Sequence, residues 1–101
     1  MTEDRLLHLI RKKKGFFEAI LDLTETESSL SLPEWISVLE QKKILLSCIE
    51  EIDHQMTPYQ SRLHILSQEM TEEIDSLKSI IEKILHLDKQ SQEKRKQELK
   101  G

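Results

Sequence analysis

Large apolar residues recur in this sequence at intervals of three, four and seven, the spacing that places side chains on one face of an α-helix. The pattern occupies three stretches, at about 3–26, 32–55 and 58–98. Only two glycines and two prolines occur in 101 residues, too few for a turn-rich β fold. The sequence therefore predicts an all-α, single-domain protein: an antiparallel three-helix bundle, with a helical hairpin and a long third helix packed as in a coiled coil.

Charge and cysteine content narrow the classes of function. The formal net charge is -4, whereas a general affinity for nucleic acid or anionic lipid needs a basic excess. Cys48 is the single cysteine and no apolar secretory segment follows the start, which together favour a reducing, cytoplasmic location. No apolar run approaches the roughly 20 residues of a membrane helix, so membrane insertion is not expected.

Two capping signals predict where helices two and three begin. Ser31 and Glu34 have the spacing of a capping box, with Pro33 in the first turn, where its missing N–H does no harm. Thr57 repeats the arrangement, with a glutamine three residues later and Pro58 at the first helical position. An alternative has Thr71 cap a fresh start, which would divide the third segment into a short helix and a long one.

The third helix is predicted to be longer than its neighbours. From Pro58 to Leu87 it would span about 45 Å, against about 37 Å for helix two. Part of its apolar face would then be left uncovered, while residues 88–101 form a polar tail in which nothing is expected to be buried. Whether this tail is helical without a partner remains open. The apolar stripe of the third segment comprises Leu63, Leu66, Met70, Ile74, Leu77, Ile81, Ile84 and Leu87.

Residues that could support catalysis or metal binding are poorly arranged. No two of the four histidines are separated by four residues, and none makes a metal-type pair with Cys48.

Two basic clusters, at 11–14 and 94–96, are flanked by acids and are expected to be solvated helix faces. Lys42 interrupts the apolar seam of helix two, and we expect its ammonium to reach solvent or a facing carboxylate. We therefore predict no enzymatic activity, no cofactor and no metal, and instead a protein partner that binds as an amphipathic helix.

Two segments resemble the small helical export chaperones of flagella and type III secretion, of the FliT and FlgN type. In residues 32–43 a tryptophan precedes an apolar pair, a glutamate and basic residues. In residues 80–88 an isoleucine-leucine element leads to an acid and a helical tail, and the plan of three helices covers nearly the whole chain. The resemblance implies a cytoplasmic chaperone or adaptor that binds the helical terminus of an exported protein. Carried onto this sequence, the partner-binding residues are Ile74, Leu77, Ile81, Ile84, Leu85 and Leu87.

Two alternatives remain open at this point. One is a coiled-coil scaffold component of a secretion apparatus, similar to the FliJ-like rods, and the other is a homo-oligomeric helical interaction module, for instance a homodimer. Neither the identity of the partner nor the oligomeric state follows from the sequence.

Overall fold

Three long helices account for nearly all of the structure. The computed structural model describes residues 2–62 and 67–100. Helix α1 spans Thr2–Thr26, α2 spans Leu32–Met56 and α3 spans Gln68–Lys100, and short 3-10 helices occupy Glu27–Ser29 and Thr57–Arg62. No strand occurs within the described ranges. The predicted all-α three-helix bundle is therefore confirmed.

Helix α1 lies against both of its neighbours. At one end Leu6 and Ile10 bury Met70 of α3, and near the middle Ile20 of α1 meets Ile49 of α2 and Ile84 of α3. The backbones of α2 and α3, in contrast, rarely approach within 8 Å of each other. The bundle is slender, 55 × 21 × 18 Å, because its core is built from these thin layers of aliphatic side chains. The wider spacing of α2 and α3 leaves an opening along one side of the bundle.

The start of α2 follows the prediction. The Oγ atom of Ser31 accepts a hydrogen bond from the backbone N–H of Glu34 at 3.4 Å and donates to the carboxylate of the same residue at 2.7 Å. Pro33 lies in the first turn, where no intrahelical N–H is lost. Helix α1 is also continuous through Gly15, despite the low helix propensity of glycine.

The start of the third helix differs from the prediction. Thr57 does not cap a new α-helix. Its hydroxyl donates a hydrogen bond to the carbonyl of Asp53 at 3.3 Å, and Thr57 is the C-cap residue of α2. The chain then forms the 3-10 helix Thr57–Arg62, and α3 begins only at Gln68. Leu63 and Leu66, which were assigned to the third stripe, lie outside the described residues.

Ser67 caps α3 instead. Its Oγ accepts from the N–H of Met70 at 3.2 Å, and its carbonyl accepts from the N–H of Thr71 at 3.0 Å. The alternative of a separate start in this region was closer to the structure than one unbroken helix from Pro58, although the cap lies four residues before Thr71.

The late start of α3 changes the environment of the polar tail. Because the helix begins at Gln68 and not near 58, its last turns lie beside the connection between α1 and α2. Ser91 and Arg95 are buried there, with 4% and 3% of their surfaces exposed. The expectation that nothing in the tail is buried is therefore wrong.

Candidate functional site

A buried ion network links the connection between α1 and α2 to both α2 and α3. The Nζ atom of Lys42 on α2 lies 2.7 Å from Glu27 Oε1 and 2.7 Å from Asp88 Oδ1 on α3. Glu27 is 1% exposed and Lys42 is 7% exposed, so this contact is shielded from water. The expectation that Lys42 reaches a facing carboxylate is confirmed. One ammonium group thus contacts both carboxylates.

Arg95 of α3 forms a second set of buried contacts, about two helical turns beyond Asp88. Its Nη2 atom donates to the backbone carbonyls of Glu27 at 2.7 Å and Leu30 at 2.9 Å, and its Nη1 donates to Glu98. The guanidinium carbon also lies 5.2 Å from the centre of the Trp35 ring, within the range of a cation–π interaction. Arg95 therefore fastens the end of α3 to the connection before α2.

Three buried polar atoms around Arg95 have no hydrogen-bond partner among the described residues. They are Nε1 of Trp35, Oγ of Ser91 and Nε of Arg95 itself. Buried polar atoms are usually paired with protein or with ordered water. This end of the bundle thus has unused hydrogen-bonding capacity beneath its apolar surface.

The opening between α2 and α3 forms a groove of about 300 Å³ next to the ion network. We call it the α2–α3 groove. Its floor includes Glu27, Lys42 and Asp88, and Gln92 lies on the α3 side. The α2 side is formed by the following residues: Trp35, Leu39, Lys43 and Leu46.

Large apolar side chains are exposed along the α2 side of this groove. Leu32, Ile36, Leu39 and Leu46 are 38% to 48% exposed. Their spacing of four, three and seven residues places them on one flank of α2, beside the stripe that faces the core. Leu85 of α3 is 63% exposed. Apolar residues that recur on one exposed flank mark a surface suited to a partner.

The six residues that the resemblance implicates fall in three environments. Leu77 and Ile84 are buried in the core, Leu85 is exposed, and the other three are half-buried. Ile74 packs against the core cluster of Leu6, Ile10 and Met70. None of the six is among the residues that line the groove, whose α3 side is formed by Asp88 and Gln92. Their role in binding a partner remains a prediction.

The sequence prediction missed the contribution of α2. Its apolar residues cover a wider arc than contact with the core requires, because Leu32, Ile36 and Leu39 form a second series beside the core residues Val38, Lys42 and Ile49. That width is visible in the sequence, but the prediction placed partner binding on the third helix alone.

A second hollow, of about 390 Å³, lies between α1 and α2 on another side of the bundle. Phe16 and the half-buried Cys48 line it, together with Ile44, which is 66% exposed. The residues that complete its lining are largely polar: Lys12, Ser47, Glu51, Ile52 and Gln55. Its volume is larger than that of the α2–α3 groove, and the apolar part of its lining is no smaller.

The first basic cluster connects the helices of the bundle. Lys13 binds Asp53 of α2 at 2.6 Å, and Lys14 binds Glu73 of α3 at 3.3 Å. Arg11 pairs with Glu69 and Glu73. This cluster, expected to be a solvated face, therefore pairs with carboxylates of the protein itself.

The second basic cluster also contacts the chain. Lys94 donates to the carbonyl of Ser28, and Arg95 is buried as described above. The interpretation of residues 94–96 as a solvated face is therefore wrong for Arg95.

Within residues 2–62 and 67–100, no three His, Cys, Asp or Glu side chains are placed to hold a metal ion. No helix in this part of the chain has the length and apolar character needed to cross a membrane. No protein-family model, curated protein or solved structure matches the chain. The described residues form a three-helix bundle with an open, partly apolar seam between α2 and α3.

Proposed function

We propose that this protein is a cytoplasmic adaptor that binds an amphipathic helix of a protein partner in the α2–α3 groove. The observation that carries the proposal is the row of exposed apolar residues on α2 beside an open seam. A helix laid in this groove would cover Leu39 and Leu46 and complete a four-helix arrangement.

The groove has the shape that helix-in-groove recognition uses. Its α2 wall, from Trp35 to Leu46, runs for about 17 Å, which matches about three turns of a partner helix. The ion network beneath it holds α2 and α3 at a fixed separation, because Lys42 contacts Asp88 across the seam. A preformed groove lowers the entropic cost of binding a partner.

We further propose that the partner is the helical terminus of an exported protein. The support for this step is the sequence resemblance to flagellar and type III export chaperones over residues 32–43 and 80–88. Residues 32–43 of that resemblance include three of the exposed apolar residues of α2: Leu32, Ile36 and Leu39.

The test is binding of purified exported proteins from the source organism to this protein, measured by isothermal titration calorimetry. Leu39→Asp and Leu46→Asp each place a charge on the α2 wall of the groove, and each is expected to abolish binding. Ile44→Asp is the matched control, because Ile44 is an exposed apolar residue of the same helix but lies by the other hollow. Circular dichroism verifies that all three variants remain folded.

Two results would contradict the proposal. One is binding that survives both groove substitutions but is lost with Ile44→Asp. The other is a stable dimer, measured by sedimentation, that both groove substitutions dissociate, because the groove would then be occupied by a second copy of the chain.

A further inference from the structure

We propose that the partner helix in the α2–α3 groove carries an arginine in the middle of its apolar stripe, where its guanidinium pairs with Asp88. This inference rests on the proposed function and adds one polar contact to it. The argument depends on how the Asp88 carboxylate is bonded while the groove is open.

Asp88 and Gln92 form the α3 side of the groove. The side chain of Asp88 is 30% exposed, and its Oδ1 atom lies 2.7 Å from the ammonium group of Lys42. Within residues 2–62 and 67–100, this is the only hydrogen bond to the Asp88 carboxylate. Its second oxygen, Oδ2, therefore depends on water for a donor.

Neighbouring side chains do not supply that donor. Gln92 lies one turn farther along α3, but its amide forms no hydrogen bond with Asp88. Lys43 lines the α2 side of the groove, yet Lys42 is the only described cation within ion-pair distance of Asp88. Once the groove is occupied, a donor for Oδ2 has to come from the occupant.

A helix laid in the groove would remove water from Asp88. A wholly apolar stripe would cover the carboxylate and leave Oδ2 unsatisfied, which is costly for a charged acceptor. The charges of the network point the same way, because Lys42 is already shared between the carboxylates of Glu27 and Asp88. One cation on the occupant would neutralise the covered network.

Arginine has the chemistry that this place requires. Its aliphatic stem would lie along the apolar residues of the α2 wall, such as Leu39 and Leu46. Its planar guanidinium has several N–H donors, enough for Oδ2 of Asp88 and for the amide oxygen of Gln92. A single polar residue in an apolar seam would also fix the register of the partner helix.

The experiment uses two fluorescent helical peptides of identical composition, each about 14 residues long, so that they cover the groove wall. In the first, arginine takes one central position of a leucine stripe and the displaced leucine lies on the opposite face. In the second, these two residues are exchanged. By fluorescence anisotropy, the first peptide is expected to bind about tenfold more tightly, because it supplies the donor that Asp88 needs. The identical composition removes the general attraction of a cationic peptide to a protein with a net charge of -4.

Two variants assign the preference to Asp88. Asp88→Asn removes the charge at the groove and is expected to reduce the preference to about twofold or less. Glu93→Gln is the matched control, an exposed carboxylate of α3 rotated about 140° from Asp88, and is expected to leave the preference intact. Circular dichroism verifies that both variants are folded.

Several results would overturn the arginine contact while leaving the groove as a helix site. They are equal binding of the two peptides by the parent protein, tighter binding of the second peptide, a preference that survives Asp88→Asn, and one that Glu93→Gln also abolishes. The comparison on the parent protein is decisive even if Asp88→Asn does not fold. Binding of neither peptide would contradict the proposed function as well.

Discussion

Replacing Lys42 with methionine tests the role of the buried ion network. The substitution keeps the length and apolar stem of the side chain but removes the ammonium group. Lys42 is the only donor that the described residues provide to the Glu27 side chain. In Lys42→Met the Glu27 carboxylate, 1% exposed in the parent, therefore has no partner and little access to water.

The expected cost is large relative to the stability of a small domain. Leaving a buried charge without its partner costs about 3–5 kcal/mol, out of a total free energy of unfolding of about 5–15 kcal/mol. Asp88 contributes less to this cost, because its side chain is 30% exposed and retains contact with water. The loss is therefore dominated by Glu27.

Urea unfolding followed by circular dichroism at 222 nm measures the effect. With a slope of about 1 kcal/mol per molar urea, the midpoint is expected to fall by about 3 M. Lys43→Met is the matched control, an exposed lysine one residue away, and should change stability by no more than about 0.5 kcal/mol.

A double-mutant cycle separates the charge effect from packing. Glu27→Gln/Lys42→Met removes both charges, and it is expected to be more stable than Lys42→Met alone. A loss below about 1 kcal/mol in the single variant, or no recovery in the double variant, would refute the conclusion that Glu27 depends on Lys42.

Two further substitutions probe the helices on either side of this network. Gly15→Ala is expected to stabilise the protein by about 1 kcal/mol, seen as a higher midpoint in thermal unfolding, because no atom lies within 4 Å of the added Cβ and the helix gains propensity. A destabilised Gly15→Ala would indicate that α1 is not regular at this position. Arg95→Met is expected to cost about 3 kcal/mol through the loss of its hydrogen bonds to the carbonyls of Glu27 and Leu30, with a red shift in Trp35 emission. Unchanged emission would contradict the stacking of Arg95 on the ring.

The fold was largely predictable from the sequence because helix periodicity and local capping are short-range signals. The Ser31 cap depends on residues within one turn, and its geometry appears as expected. Thr57 carries the same local pattern, yet its hydroxyl binds the preceding turn. The Ser31 hydroxyl accepts a hydrogen bond from a following N–H group, whereas the Thr57 hydroxyl donates one to a preceding carbonyl. The spacing of the residues alone does not decide between these two bonds.

The site was less predictable because it depends on which helices lie close together. Lys42 was identified as a polar interruption, but its partners are 15 and 46 residues away in the sequence. The burial of Arg95 follows from the late start of α3, which shifts the whole helix along the bundle. The open seam arises because α1 packs closely against both α2 and α3, while α2 and α3 lie farther apart. The apolar stripe of one helix does not indicate how far apart two other helices lie.

The ion network also bears on the alternative alignments available to α3. Its apolar residues recur regularly enough that a slip of seven positions would still place aliphatic side chains at most of its contacts with α1, although one direction brings Ser91 to the level of Ile84. Such a slip would bring either Ile81 or Arg95 opposite Lys42 in place of Asp88. One misalignment buries a lysine against an aliphatic side chain, and the other places two cations together. We therefore expect Asp88→Leu to permit a slipped α3 that the native sequence penalises.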